Sequence, residues 1–300
     1  MAGGQKSRLE RLVNLDRRIV YLLIALGTIL PILFRIGFPV STTPPVESIF
    51  AKIESLSPED VVLVSFDYGP TTAPENTPMA EAVMRHCFER QIKLVVVALF
   101  PIGGLTMAGE VVGDVTAEYP QLIEGEDYAF IGYKDGAQAA MKQMGVAFEG
   151  VFPTDYAGTP LGELPLMQRV TNYEDIALIV SFSTNIIGEW WANLVNAQFG
   201  TPVAVGTTAV SAPKYYAFLD SGQMMGMLGG LKGASEYESL LLDAYPQLIP
   251  RYERPGVYTA MKGMDAQTVD HAIIMIFILF GNTIYFLMRR QERRQAAEQR

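Results

Sequence analysis

The stretch from Val61 to Pro70 reads VVLVSFDYGP, a continuous run of β-branched and other apolar residues that ends in turn-forming residues. A run without polar alternation is typical of a strand buried on both faces, as in a parallel sheet. Four later stretches have the same character: KLVVVALFPIGG at Lys93–Gly104, DYAFIGY at Asp127–Tyr133, IALIVSFST at Ile176–Thr184 and TPVAVGTTAV at Thr201–Val210. The sequence therefore predicts five buried strands.

Segments with helical periodicity separate these strands, and the alternation predicts a three-layer, Rossmann-like α/β domain with right-handed crossovers. VLVSFD at Val62–Asp67 resembles LIVSFS at Leu178–Ser183, which lies 116 residues later. Two strand–helix–strand halves meeting side by side predict the strand order 3-2-1-4-5, with a switch point between the first and fourth strands. A flavodoxin-like order and a periplasmic-binding-protein-like arrangement are the alternatives.

The first helix of this domain is predicted to have Thr77 as its N-cap and Pro78 as its first residue. Its apolar residues recur at helical spacing, which places Cys87 towards the core and His86 on the solvent face. Cys87 is the single cysteine. An exported domain of this chain must therefore be stabilised by its core, because no internal disulfide can form.

Two apolar segments, Ile19–Val40 and Ala272–Met288, have the length of membrane-spanning helices. No small-residue cleavage site follows the first, which predicts an uncleaved signal anchor. Basic residues flank the outer ends of both segments: Lys6, Arg8, Arg11, Arg17, Arg18, Arg289, Arg290, Arg293, Arg294 and Arg300. The positive-inside bias therefore predicts two cytoplasmic tails and an extracytoplasmic domain at the cell membrane.

The predicted organisation is a basic tail at 1–18, a transmembrane signal anchor at 19–40, a linker with a juxtamembrane helix at 41–60, the α/β domain at 61–250, a linker at 251–271, a transmembrane helix at 272–288 and a basic tail at 289–300. Between Ser41 and Thr268 there are 27 Asp and Glu against 12 Lys and Arg, a formal charge of −15. Such an acidic domain repels nucleic acid, so we expect the membrane and not nucleic acid as a partner.

Polar residues follow the predicted strands at the switch point. Asp67 and Tyr68 end the first strand, Ser183 and Asn185 follow the fourth, and Thr207 follows the fifth. A long insertion that contains Asp155 is expected to fold over the same edge. These candidate residues would suit a small polar ligand or a hard cation such as Mg²⁺ or Ca²⁺. The alternative is that they cap helices and close turns.

Catalytic and cofactor motifs are weakly represented. The chain has two histidines, neither of them predicted at the crevice, which disfavours a Ser-His-Asp or Cys-His system and a zinc site. The turn after the first strand lacks the G-x-G-x-x-G pattern, and Lys232 lacks the Walker A spacing. We therefore expect no NAD, NTP or other cofactor. A hydrolase that uses Asp67 with Glu75 or Asp155 remains open.

The segment DSGQMMGMLGGLKGASEYE, Asp220–Glu238, is rich in glycine. As a helix it would place its glycines within an arc of about 100°, which predicts a face for close approach of another backbone. These glycines are Gly222, Gly226, Gly229, Gly230 and Gly233. Ser235 and Glu238 would then form a capping box that starts a new helix. An irregular loop is the alternative. Trp190, at the flank of its helix, is predicted to be partly core or a contact with another chain.

The motifs FDYGP (66–70), FPTDY (152–156), TTAVSAP (207–213) and GMLGGLKGASEYE (226–238) resemble those of a group of prokaryotic two-span membrane proteins with an extracytoplasmic α/β domain. This resemblance implies a topology and no catalytic residue. The leading hypothesis is a non-enzymatic subunit of a membrane assembly, as a homo-oligomer or with other membrane-protein subunits. An extracytoplasmic module that binds a small ligand or cation and a carboxylate-dependent hydrolase are the alternatives.

Overall fold

The structure, a computed structural model, describes residues 16–298. These residues fall into two compact units. The α/β unit contains Pro39–Tyr252 and Tyr258–Met261. The hairpin unit contains residues 16–38, Glu253–Val257 and residues 262–298. Among the basic residues of the predicted tails, Lys6, Arg8, Arg11 and Arg300 lie outside the described residues.

Six strands form the sheet within the described part of the chain, and all of them run parallel. The strands are β1 Val61–Asp67, β2 Lys93–Ala98, β3 Tyr128–Tyr133, β4 Leu178–Ser183, β5 Val203–Thr207 and β6 Gly226–Gly229. Their order is β3-β2-β1-β4-β5-β6. The α/β class and the order 3-2-1-4-5 are thus confirmed, and β6 extends the sheet by one strand.

The helices of the α/β unit cover both faces of this sheet. They are α2 Pro44–Glu54, α3 Ala73–Glu89, α4 Gly104–Thr116, α5 Ala137–Met144, α6 Ile187–Trp190, a π-helical segment Trp191–Asn196, α7 Ala197–Phe199, α8 Tyr216–Asp220, α9 Gly230–Ala244 and α10 Ile249–Glu253. Short 3-10 turns lie at Pro70–Thr72, Leu161–Glu163, Tyr173–Asp175, Ala212–Lys214 and Pro246–Leu248. Helix α1, Arg17–Leu33, and helix α11, Ala260–Glu298, lie at the two ends of the described chain.

Each face of the sheet has its own hydrophobic core. On the first face, Val62, Val64 and Phe66 pack with residues of α2, α3, α4 and α9. On the second face, Leu63 and Val205 pack with residues of α5, the π-helical segment and the insertion that precedes β4. The alternation of side chains along each strand sends neighbouring residues into different cores. This explains the continuous apolar runs in the sequence.

Helix α2 belongs to the first core. It buries Val46, Ile49 and Ile53, which recur at helical spacing on one face. Pro44 and Pro45 occupy its first two positions, where a missing backbone N–H costs no intrahelical hydrogen bond. The predicted juxtamembrane helix is therefore part of the compact α/β unit.

Helix α3 differs from its prediction in where it begins and in which of its faces are buried. It begins at Ala73, so Pro78 lies inside the helix and not at its first position. His86, predicted on the solvent face, is completely buried. Its Nε2 lies 2.9 Å from Glu54 Oε1 and its Nδ1 lies 2.7 Å from the Tyr237 hydroxyl. The prediction was wrong because α2 and α9 cover the face of α3 that the local periodicity leaves to solvent.

The glycine-rich segment is a strand followed by a helix, so the prediction of a single glycine-faced helix was wrong. Residues 226–229 pair with β5, and α9 begins directly at Gly230. A strand this short and glycine-rich is formed by tertiary pairing, which overrides weak local propensity. The predicted capping box is also wrong, because Ser235 and Glu238 lie inside α9 and are buried.

Close backbone approach does occur at some of these glycines. A Cβ at Gly226 would lie 2.6 Å from the carbonyl oxygen of Pro45 in α2. A Cβ at Gly233 would lie 2.8 Å from the carbonyl carbon of Leu228. Gly230 has a left-handed backbone, with φ of +63°, and packs against Ala209. Gly222 and Gly229 have no comparable approach among the described atoms.

The hairpin unit contains helix α1 and most of helix α11. Thr28 Oγ1 in α1 donates a 2.7 Å hydrogen bond to Asp270 Oδ2 in α11. Asp265 accepts hydrogen bonds from the backbone N–H groups of Ile36, Gly37 and Phe38. These contacts bind the two segments of the unit to each other.

Among residues 16–298, one helix is long and apolar enough to cross a membrane, at Ala260–Arg290 with a mean hydropathy of 1.9. This helix is continuous from Ala260, where a linker was predicted to run to residue 271. Helix α1 has 17 residues and ends at Leu33, whereas the predicted first span continued to residue 40. Phe34 has an extended backbone, and the next residues bind Asp265, so the helix cannot continue.

Candidate functional site

Asp67 lies at the carboxyl end of β1 and is completely buried. Its Oδ2 accepts hydrogen bonds from Ser181 Oγ at 2.6 Å and from the indole Nε1 of Trp191 at 2.7 Å. Its Oδ1 accepts a 2.8 Å hydrogen bond from Ser65 Oγ. The carboxylate thus joins β1, β4 and the helical segment that follows β4, directly at the switch point.

Burial raises the pKa of Asp67 to about 6. The hydrogen bonds from Ser181, Trp191, Ser65 and the backbone of Leu99 act in the opposite direction, because they favour the charged form. Both oxygens are occupied by donors from the protein itself. Asp67 is therefore held as an internal acceptor and presents no oxygen to the surface.

Ser183 and Thr207 lie on the same face of the sheet as Asp67. Ser183 ends β4, which pairs with β1, and Thr207 ends β5, which pairs with β4. Ser183 Oγ accepts a 2.7 Å hydrogen bond from the backbone N–H of Gly188, which fixes the start of α6. Thr207 is completely buried, and its hydroxyl has no hydrogen-bond partner among the described residues. The hydroxyl of the buried Tyr215 donates to the carbonyl of Asn185 at 3.2 Å.

The other candidates of the predicted crevice point elsewhere. Tyr68 is buried on the opposite face, where its hydroxyl lies 2.8 Å from Thr77 Oγ1. Asn185 is exposed and has a φ of +61°. Asp155 accepts a 2.7 Å hydrogen bond from the backbone N–H of Thr159 within the insertion. The six predicted residues are therefore not brought together around one opening.

The carboxylate pairs proposed for hydrolysis are also not assembled. The insertion carrying Asp155 lies beside β3, because the N–H of Tyr156 donates to the carbonyl of Phe130. Strand β2 lies between β3 and β1, so β1 and β3 are about 10 Å apart. Glu75 is engaged separately, since its Oε2 accepts a 2.9 Å hydrogen bond from the N–H of Ala209.

The loops at the carboxyl ends of β1, β2 and β4 contain no charged residue, and the loop after β5 contains one, the exposed Lys214. We call these loops, residues 68–72, 99–103, 184–186 and 208–215, the carboxyl rim; the carboxylate of Glu75 also contacts it, at the N–H of Ala209. Three aliphatic side chains of the rim are strongly exposed: Ile102 at 73%, Ile186 at 46% and Val210 at 88%. Parallel strands end at the same edge of a sheet, so the four loops form one end of the α/β unit.

Contacts join the loops after β1 and β2 and tie the loop after β4 to the end of β1. A Cβ at Gly69 would lie 2.3 Å from the carbonyl oxygen of Ile102, so these two loops touch. The N–H of Thr184 donates a 3.0 Å hydrogen bond to the carbonyl of Asp67. The loop after β3 differs from the rim, since it carries Lys134 and Asp135.

Two open grooves mark the surface of the α/β unit. One, of about 600 Å³, lies between the start of α5 and Trp190 and is lined also by Gln138 and Lys142. The partial exposure of Trp190 agrees with its predicted place at the flank of the helix, whereas Trp191 is completely buried. The other groove, of about 530 Å³, lies at the amino edge beside Lys93.

Among the described residues, no group of three or more His, Cys, Asp and Glu is arranged to hold a metal ion.

The residues that donate hydrogen bonds to Asp67 were not predicted from the sequence, although a signal for two of them was present. Ser65 and Ser181 are the polar residues inside the two similar stretches VLVSFD and LIVSFS, and they pair directly in the sheet. A serine inside a strand buried on both faces needs a buried partner. Trp191 gave no comparable signal, because a tryptophan on an apolar stripe is sufficiently explained by packing.

Comparisons of the chain with protein-family models, with curated proteins and with solved structures returned no match. Its function must therefore be inferred from the geometry above.

Proposed function

We propose that the protein is a non-enzymatic, membrane-anchored subunit of an envelope or membrane assembly, with its acidic α/β domain as an extracytoplasmic interaction module. One observation carries this proposal. Open α/β sheets bind small ligands at the carboxyl edge of the switch point, with polar groups that face solvent. In this protein Asp67, at that edge, is a buried acceptor that the protein's own donors satisfy, and the surrounding loops carry few charged residues and expose aliphatic side chains.

The two ends of the chain support membrane anchoring by two helices. Large apolar side chains are exposed along both α1 and α11, as expected for surfaces in contact with lipid hydrocarbon. Helix α1 would reach about 25 Å, close to the ~30 Å of a hydrocarbon core. Arg17 and Arg18 begin α1, and Arg289 and Arg290 lie near the end of α11. The positive-inside bias then favours two cytoplasmic termini.

A small polar ligand is the second candidate function. Asn76 is completely buried, and both polar atoms of its amide lack partners among the described residues. Such an amide, like the Thr207 hydroxyl, invites a bound polar molecule or ordered water. However, α3 carries Asn76 against the first face of the sheet, whereas Thr207 lies on the second. The two groups therefore support a single binding site poorly.

Hydrolysis by paired carboxylates has the least support. A nucleophile or general acid must contact its substrate. Asp67 is buried beneath the rim with both oxygens hydrogen-bonded, and Asp155 lies beside a different strand. We therefore propose an interaction role over a catalytic one.

The size of the protein in its native membrane tests the assembly. The full chain is extracted in mild detergent at low micromolar concentration, and its mass is measured after subtraction of the bound detergent. We expect a particle heavier than one 33.0 kDa chain. A lone monomer, with no second protein recovered alongside it, would contradict the proposed function.

The topology is tested with cysteine labelling, because the native Cys87 is buried. Val146→Cys places an exposed thiol on the α/β unit, and Ala297→Cys places one near the end of α11. In sealed right-side-out vesicles, a membrane-impermeant maleimide should modify the first and spare the second until the vesicles are opened. The reverse pattern would place the domain in the cytoplasm.

A further inference from the structure

We infer that the carboxyl rim is the surface through which two copies of this chain bind each other. This inference rests on the proposed function and names the partner for the same surface. The rim combines an exposed valine and two exposed isoleucines with few charged groups, which are Lys214 in the loop after β5 and the Glu75 carboxylate bound to the N–H of Ala209. Depletion of charged residues with exposed apolar side chains is typical of the central part of a protein interface.

The composition of the surrounding domain favours a second copy as the occupant. Residues 41–268 carry a formal charge of −15, since 27 acidic residues face 12 basic ones. A basic partner would be attracted to the acidic remainder of the surface and would gain little from the rim, where Lys214 offsets the charge of Glu75. Two acidic copies, in contrast, repel each other wherever their charges meet. A surface without an excess of acidic residues, such as the rim, is the place where such copies can make close contact.

The rim is also held in place before any partner arrives. The end of β1 is fixed by Ser181 and Trp191 through Asp67, and the N–H of Thr184 binds the Asp67 carbonyl. The loop after β2 packs tightly on Gly69. A pre-organised surface loses little conformational entropy on association, which favours binding. A rim-to-rim contact between identical surfaces is self-complementary and closes as a dimer.

The aliphatic residues of the opposite edge provide matched controls. Val146 follows α5, and Ile123 precedes β3, so both lie at the amino edge of the sheet. Val146 is 73% exposed and Ile123 is 54% exposed. The two rim residues matched to them, Val210 and Ile102, are 88% and 73% exposed. A glutamate at any of these four positions faces water in the monomer, so the fold should be retained. Only a glutamate on the rim would be buried in the dimer.

The test measures the mass of the purified full chain in detergent by light scattering, with circular dichroism as a check of folding. We expect a dimer for the wild type and for the Val146→Glu, Ile123→Glu control. The Val210→Glu, Ile102→Glu variant should be monomeric, with a dissociation constant raised at least about a hundredfold, since like charges are brought together on both sides. A rim variant that dimerises like the control would overturn the inference.

Salt dependence provides a second readout. Higher ionic strength screens the repulsion between the two acidic copies. The dissociation constant of the wild-type dimer should therefore fall as the salt concentration rises. Dissociation by salt would indicate binding by opposite charges and would overturn the inference. A purified chain that is monomeric while the native particle is heavier would overturn self-association and leave the proposed function standing. A monomer in the native membrane would contradict both.

Discussion

The indole Nε1 of Trp191 donates a 2.7 Å hydrogen bond to Oδ2 of Asp67, and both side chains are completely buried. This bond connects the helical segment after β4 to the end of β1, the two strands that flank the switch point. The carboxylate at the point where an open α/β sheet usually binds a ligand is satisfied here by the protein's own donors. The surface at this edge of the sheet is the carboxyl rim.

Asp67→Asn should destabilise the α/β unit. The carboxylate accepts hydrogen bonds from three side-chain donors, and an amide would direct its own N–H₂ group at one of them. Each buried donor left without an acceptor costs about 1–3 kcal/mol. Chemical unfolding followed by tryptophan fluorescence should show a loss of this size. The exposed Asp114→Asn is the control and should stay within about 0.5 kcal/mol of the wild type. An equal effect of both changes would disprove the role of Asp67.

Glu238 should make the stability of the α/β unit depend on pH. Its two oxygens accept hydrogen bonds from the N–H groups of Ala260 and Met261, at the start of α11. Burial raises the pKa of Glu238 from 4.5 to about 7; nearby Glu81 also raises it, whereas the backbone hydrogen bonds and Arg85 lower it. The folded state therefore holds a proton between pH 4.5 and 7 that the unfolded chain releases, and this contribution to stability is lost as the pH rises through that range.

The Glu238→Gln variant isolates this effect because glutamine does not ionise. The free energy of unfolding of the variant, relative to the wild type, should improve by roughly 3 kcal/mol between pH 4.5 and 7.5. The measurement is the unfolding midpoint of both proteins at each pH in the same detergent. A difference that is constant with pH, or that changes in favour of the wild type as the pH rises, would contradict the prediction.

Gly226→Ala should destabilise the protein by about 1–3 kcal/mol, because it overpacks a filled site. The new methyl group would lie 2.5 Å from Ile49 Cγ1 and 2.6 Å from the carbonyl oxygen of Pro45. Gly113, in α4, is the matched control, since no described atom lies within 4 Å of a Cβ there. Gly113→Ala should be neutral or stabilise the helix by roughly 0.5–1 kcal/mol. If the two changes have the same sign in denaturant titrations, β6 does not pack against α2 as described.

Gly27→Leu should loosen the hairpin unit. A Cβ at Gly27 would lie 2.6 Å from Asp270 Oδ1 and 2.8 Å from Ile273 Cδ1, so a larger side chain forces α1 and α11 apart. Hydrogen exchange of residues 36–38, whose N–H groups bind Asp265, should then accelerate. Gly281→Leu is the control, because no described atom lies near a Cβ at that position. Unchanged exchange in Gly27→Leu would show that the two helices are not packed at this point.

The sheet was predictable because parallel strands buried on both faces leave uninterrupted apolar runs, and because VLVSFD and LIVSFS mark the two central strands. β6 was not predictable from GMLG, since its pairing with β5 is a tertiary effect. His86 was misplaced for a related reason: local periodicity contains no information on α2 and α9, which cover it. The surroundings of the predicted polar crevice were not predictable, because a sequence does not show whether a carboxylate such as Asp67 faces water or internal donors.

Cross-linking in the native membrane tests the central claim, an interaction domain that contacts its own copy through the carboxyl rim, most directly. Val210→Cys and the control Val146→Cys each provide one exposed thiol, while Cys87 stays buried. With a short bis-maleimide, the Val210→Cys protein should shift to twice its mass in denaturing gels, and the control should remain at the mass of one chain. A Val210→Cys protein that stays at the mass of one chain, or that cross-links no better than the control, would contradict the account.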